Sequence, residues 1–162
     1  MMQTSHDGMD LLKHYEGCSL EAYPDPATGG EPITIGYGNT NPGVLKLGGI
    51  CTQEEADQML ADRLKKDFEP GVNQLLLTAN QQQFDAIISL AYNIGLGNLK
   101  TSTVVRKHNA GDYEGAAQSI LMWNRANGAV MKGLQRRRYA EMLVYKGGDS
   151  ASSISKAERT YR

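Results

Sequence analysis

Hydrophobic spacing along the chain switches from helical to alternating and back, and the switches predict its elements. Met9, Leu11, Leu12 and Tyr15 form an apolar stripe at helical spacing. Asp7 is placed to cap that helix and Gly17 to end it, which leaves Glu16 on the last turn. From Ala22 to Ile50 the pieces are short and rich in Gly and Pro. The run from Tyr23 through Gly30 is turn chemistry, and Ile33 to Tyr37 alternates as a strand does, so a hairpin or a three-stranded sheet is expected. Thr52 with Glu55 makes a capping box, after which Ala56, Met59, Leu60 and Leu64 return to helical spacing.

The rest reads as helices. Asn80 with Gln83 opens one that carries Phe84, Ile87, Ile88 and Ala91 and closes at Gly95. A short one runs from Ser102 to His108. Asp112 caps the next, in which Ala116, Ala117, Ile120 and Leu121 face inward and Trp123 lies near the end. Leu134 to Tyr145 is the last strong helix, stopped by Gly147 and Gly148. The expectation is one α+β domain. It comprises a small β lobe over about 18–50, a connecting helix region over 52–79, a helical lobe over 80–148, and a polar tail over 149–162 that is frayed or a weakly attached helix. A cleft between the two lobes is the default binding site.

Composition narrows the class. With 162 residues, 40% hydrophobic and 22% charged, the chain is that of a globular protein with a sizeable core. The first residues carry no basic flank or apolar run of signal-peptide length, so the protein is expected to stay in the cytoplasm until something else lets it out. Net charge is −1 but unevenly spread: residues 1–70 sum to −7 and residues 71–162 to +6. That pattern fits equally two lobes that attract each other and a basic face for an anionic polymer. Nucleic acid is disfavoured, because no zinc finger, RNA-binding aromatic motif or sustained basic helix is present. Cys18 and Cys51 lack zinc-site spacing and read as reduced thiols, with a pairing after export as the minor alternative. His6, His14 and His108 are scattered and read as surface or boundary residues, so neither a metal nor another cofactor is implied.

The chemistry lies near the N-terminus. Glu16 and Asp25 stand nine residues apart, in unlike settings. At a helix end Glu16 is expected to be half buried and to keep its proton, whereas Asp25, in a Pro/Gly turn, stays ionised. Two carboxyls so distinguished are what glycoside hydrolysis requires: one protonates the leaving oxygen while the other activates water or attacks the sugar. Glu21, Glu31, Glu54 and Asp62 read as solvated surface charges.

Taken in order, these motifs resemble the phage lysozymes of glycoside hydrolase family 24, nearer to lambdoid-type endolysins than to the T-even lysozyme. The resemblance rests on Glu16, Asp25 and Thr34 in Thr34-Ile35-Gly36-Tyr37-Gly38. It continues through Gln83-Phe84-Asp85-Ala86, Tyr92-Asn93-Ile94-Gly95, Trp123, and Gly133-Leu134-Gln135-Arg136-Arg137-Arg138 with Glu141. Two departures stand out. The Ala27 to Pro32 loop is three residues longer than the family's usual spacing, and Asn39 occupies the usual place of a His.

The resemblance implies a lysozyme-like fold and cleavage of the β-1,4 bond between N-acetylmuramic acid and N-acetylglucosamine in peptidoglycan. It implies Glu16 as general acid, Asp25 as base or charge stabiliser, and Thr34 holding the water, a set that favours inversion. It also implies an arginine orienting Glu16, Arg136 by position and Arg137 second. Tyr37 and Tyr23 read as cleft-lining and Asn93 as a helix-end residue or part of the cleft floor, while Phe84, Tyr92 and Trp123 read as core. The expected protein is a monomer acting on peptidoglycan with no stable membrane insertion, released from the host cytoplasm by a holin. A lytic transglycosylase and a catalytically inactive wall-binding module are the alternatives.

Overall fold

In a computed structural model of the chain, residues 1–40 and 47–162 are described. The chain divides into two compact units, residues 13–66 and residues 1–12 with 67–162. Among the described residues no helix is long and apolar enough to cross a membrane.

The smaller unit starts on the last turn of α1 (His6–Glu16). Gly17 ends that helix at a φ of 69° and returns its N–H to the Lys13 carbonyl. Only a residue without Cβ adopts this left-handed conformation cheaply, and it releases the chain directly into a strand. Strands β1 (Ser19–Tyr23), β2 (Thr34–Gly36) and β3 (Asn39–Thr40) form an antiparallel sheet in that order. In the first ladder Ser19 faces Gly36 and Tyr23 faces Thr34, with an irregularity between them; in the second, Thr34 faces Thr40. Ile50 bridges to Glu21 on the other edge of β1.

Ala22, Ile33 and Ile35 build the core of this unit, with Cys51 and Met59 packed on it. Helix α2 (Gln53–Arg63) opens on the expected Thr52/Glu55 capping box and buries Ala56 and Leu60. Position 36 favours glycine because its φ is 66°, and a Cβ there would also press on the Asn39 Oδ1 and the Met59 Cε at 3.3 Å.

The connecting helix region is not one run. After α2 the chain widens into a π-helical turn over Leu64–Phe68 and then continues as α3 (Glu69–Leu75). Pro70 supplies the reason: its nitrogen cannot donate, and in a regular helix its ring would press on the carbonyl four residues back.

In the larger unit α4 (Gln81–Ile94) starts on the expected Asn80/Gln83 capping box and is buried continuously from Gln83 to Ala91, the signature of a central helix. Around it come α5 (Leu96–Lys100), α6 (Thr103–Asn109, capped by Ser102), α7 (Tyr113–Ile120, capped by Asp112) and α8 (Lys132–Tyr145). A two-stranded hairpin, β4 (Arg125–Ala126) with β5 (Ala129–Val130), turns through Asn127 and Gly128, both at positive φ. Neither α5 nor this hairpin carries a long periodic signal, which is why sequence spacing misses them.

Three expectations are corrected in this unit. Asp7 does not cap α1: the Ser5 hydroxyl accepts from the Gly8 N–H at 3.1 Å. The Asp7 carboxylate instead accepts from the Ser150 N–H at 2.9 Å and its hydroxyl at 2.7 Å. The polar tail is not frayed, because those bonds anchor α9 (Ser150–Thr160), whose own cap is Asp149 and whose Ser150, Ser153 and Ala157 are buried. His108 is 1% exposed rather than superficial. Its Nε2 lies 2.5 Å from the Thr78 carbonyl, so that nitrogen donates and Nδ1 accepts from the Tyr145 hydroxyl at 2.6 Å.

Asp85 is another buried polar group, accepting from the Ser5 N–H and hydroxyl and from the Gln81 amide. Burial raises its pKa above the ordinary carboxylate value, against the hydrogen bonds of Ser5 and Gln81, which lower it. A raised carboxyl pKa favours the folded state at low pH, and that advantage is lost as pH rises through the folded-state value. The unfolding free energy of the parent minus that of Asp85→Asn should therefore decline as pH rises above the ordinary aspartate value of about 4. Parallel urea titrations check this, and a difference that rises over the same range contradicts it.

Candidate active site

The three residues expected to carry glycosidase chemistry all lie in the smaller unit, on or beside the β1–β2 ladder. Glu16 is half-buried at the end of α1, three residues before β1 begins. Asp25 lies two residues past the end of β1, also half-buried. One of its oxygens accepts from the Ala27 N–H at 3.2 Å, and its backbone closes the turn by bonding to Gly29 and Gly30. Thr34 opens β2, opposite Tyr23, so the β1–β2 register brings Asp25 and Thr34 to the same end of the ladder. Among the described residues the Thr34 hydroxyl reaches the Pro32 carbonyl, at 3.5 Å, a contact too long to commit it.

Tyr37, expected to line a cleft, is buried. It is 5% exposed, and its hydroxyl donates to the Asp57 Oδ1 at 3.1 Å while the Gln53 amide lies 2.9 Å away. Burial, reinforced by the hydrogen bond to Asp57, pushes the phenol up to about 12. Alternation along the strand gives Tyr37 no unique face at a hairpin end, so the sequence could not assign it. Asp57 was not singled out by sequence at all. The Gln53 amide, then Lys13 and Tyr37, hold its carboxyl below the usual range despite partial desolvation. An acid one turn into a helix otherwise reads as a solvated charge.

Cys18 and Cys51 are free thiols. Cys51 is raised above the ordinary thiol value by desolvation first and by nearby Cys18 and Glu55. Among the described residues no group of three His, Cys, Asp or Glu side chains is arranged to hold a metal ion.

The arginine motif on α8 is not a solvated face. Arg137 and Arg138 are buried and share Glu141, which is fully buried. Arg138 Nε lies 2.7 Å from Glu141 Oε1 and its Nη2 3.0 Å from Oε2, while Arg137 Nε lies 3.2 Å from Oε2. The Ser89 hydroxyl donates to Oε2 at 2.5 Å, and Arg137 Nη2 donates to the Ser89 carbonyl at 3.0 Å. Arg138 also donates to Asn93 Oδ1 at 2.9 Å, which orients that exposed amide at the end of α4. Arg136, expected first as the partner of Glu16, donates to the Tyr161 carbonyl at 2.6 Å and pairs with Glu158 at 3.3 Å, so it helps to fix α9. By structural unit the charge imbalance also shrinks. The larger unit holds ten acids and twelve bases and the smaller eight and five.

Residues 13–141 match the family model described as phage lysozyme, a span that contains every residue of this site. The chain belongs to the phage lysozyme family. An endolysin of Acyrthosiphon pisum secondary endosymbiont phage 1 is 37% identical over 90% of this lysozyme-family chain and 99% of its own length. An endolysin of Bacillus phage B103 is 39% identical over 92% of the chain, which spans 56% of that longer protein. The solved endolysin from Escherichia coli O157:H7 phage FAHEc1 superposes with a TM-score of 0.80 at 37% identity, covering 90% of this chain and 94% of the other. The mixed architecture of helices with a small antiparallel sheet is thus the lysozyme fold.

Removing Glu141 would leave two buried guanidinium groups short of their shared anion. Breaking a buried pair in this way costs about 3–5 kcal/mol. Glu141→Ala should lose stability on that scale in chemical denaturation, and a loss below about 1 kcal/mol would show that the cluster relaxes into water.

Proposed function

We propose that this chain is an endolysin, a muramidase that hydrolyses the β-1,4 bond between N-acetylmuramic acid and N-acetylglucosamine in peptidoglycan and so lyses the host cell. The observation that carries the reading is the ladder itself. A family-typical glutamate stands at the helix end that feeds β1, and the family's Asp and Thr stand together where β1 gives way to β2. Glu16 is the general acid, delivering its proton to the glycosidic oxygen. Asp25, with one oxygen tethered by Ala27, offers the other to an attacking water. Thr34, whose hydroxyl makes only a long contact to the Pro32 carbonyl among the described residues, holds that water with its donor and acceptor sites.

An activated water distinguishes this route from transglycosylation, which has no use for the Asp25 and Thr34 pair, and points to inversion at the anomeric carbon. Asn93 presents its amide N–H groups to the wall, since Arg138 already occupies its oxygen. The enzyme works as a monomer, does not insert stably in a membrane or bind nucleic acid, and waits in the host cytoplasm until a holin opens the way to the wall.

Clearing of outer-membrane-permeabilised Gram-negative cells by the purified chain and by Glu16→Gln tests the assignment. The parent should clear the suspension, and the variant should fold normally but lose about 10²- to 10⁴-fold in rate, the worth of a general acid. Near-parental clearing by Glu16→Gln would overturn the role of this residue.

A further inference from the structure

One carboxylate outside the catalytic set touches the helix end that carries Glu16 and the hairpin that follows Thr34. Asp57 Oδ2 lies 3.2 Å from Lys13 Nζ on the last turn of α1. Its Oδ1 accepts from the Tyr37 hydroxyl at 3.1 Å and from Gln53 Nε2 at 2.8 Å. The same Gln53 amide lies 2.9 Å from the Tyr37 hydroxyl and 4.0 Å from Cys18 Sγ. Lys13, Cys18 and Tyr37 are each close in sequence to a catalytic candidate. Lys13 precedes Glu16 by three residues, a neighbouring position on the helix surface, and Cys18 follows it by two. Tyr37 leaves β2 just after the strand that Thr34 opens.

We propose that Asp57 is a positioning residue for the hydrolysis: through Lys13, Gln53 and Tyr37 it locks the end of α1, and with it Glu16, against the β1–β2 ladder that carries Asp25 and Thr34. The inference rests on the muramidase reading given above. Ordinary stabilisation accounts poorly for the arrangement. The Lys13 and Asp57 side chains are 26% and 37% exposed, a setting in which an ion pair adds little to folding. The apolar core under the sheet, built on Ala22, Ile33 and Ile35, is formed by other residues. What the polar links add is register between a helix end and a sheet, and catalysis is sensitive to register, since a displacement of about 1 Å can cost about 10²-fold in rate.

The test is the release of reducing ends from purified peptidoglycan across a range of wall concentrations. The parent, Glu16→Gln, Asp57→Ala, Asp57→Asn, Lys13→Met and the Lys13→Met/Asp57→Ala double variant are compared, with rates normalised to folded protein. Asp57→Ala should lower kcat about tenfold or more with apparent KM changed less than about twofold, because the acid is displaced while the wall-binding surface is intact. Asp57→Asn, which keeps the acceptor for Tyr37 and Gln53, should recover part of that loss. Lys13→Met should lower kcat severalfold and add nothing to Asp57→Ala, as expected when two residues act through one contact.

Parental kcat in both Asp57 variants, a loss confined to KM, or losses that multiply in the double variant would each overturn the proposal. These outcomes are separable from failure of the muramidase reading, in which the parent itself would release no reducing ends or Glu16→Gln would release as many as the parent.

Discussion

Glu16 can end a helix and stand at the threshold of a sheet only because the chain turns through a left-handed residue immediately after it. Gly17 takes that conformation at a φ of 69°, which costs any residue with a Cβ about 1–2 kcal/mol. With the turn made, β1 begins at Ser19 and pairs with Gly36, so the acid, the hairpin and the far turn at Asp25 follow from one short stretch of backbone. Everything proposed for function depends on this junction and on what keeps it in register.

The larger unit is held by polar groups placed inside an apolar frame. Glu141 neutralises part of the charge of Arg137 and Arg138 where α8 meets α4, and Ser89 completes the set. Asp7 and Arg136 tie α9 to the first and eighth helices, while Asp85 and Glu69 hold the N-terminal residues at Ser5 and Thr4. Such groups stay buried only because each has a hydrogen-bonded or charged partner.

Much of this was legible in the residues. Periodicity and capping boxes give the starts of α2 and α4, and Asp112 caps the helix it was expected to cap. The three-stranded sheet follows from turn chemistry around Asp25. What was not legible depends on long-range partners. Asp7 looks like a cap until Ser150, far along the chain, is seen to use it, and α9 looks weak because its small polar face carries no hydrophobic signal yet packs closely. Arg137 and Arg138 stay buried, although burial of charge is unusual, because Glu141 pairs with both. Tyr37 and Asp57 interpret each other, and neither is interpretable alone. The resemblance to the family singles out Glu16, Asp25 and Thr34, and the strand register sets Asp25 and Thr34 at one end of a ladder, which spacing alone does not give.

The central claim is that this ladder hydrolyses a glycosidic bond with an activated water, and digestion of peptidoglycan in water enriched in ¹⁸O tests it most directly. Mass spectrometry should find the heavy oxygen on the reducing N-acetylmuramic acid ends released by the parent chain. Release of anhydro ends without added water, or of no sugar ends at all, would contradict it.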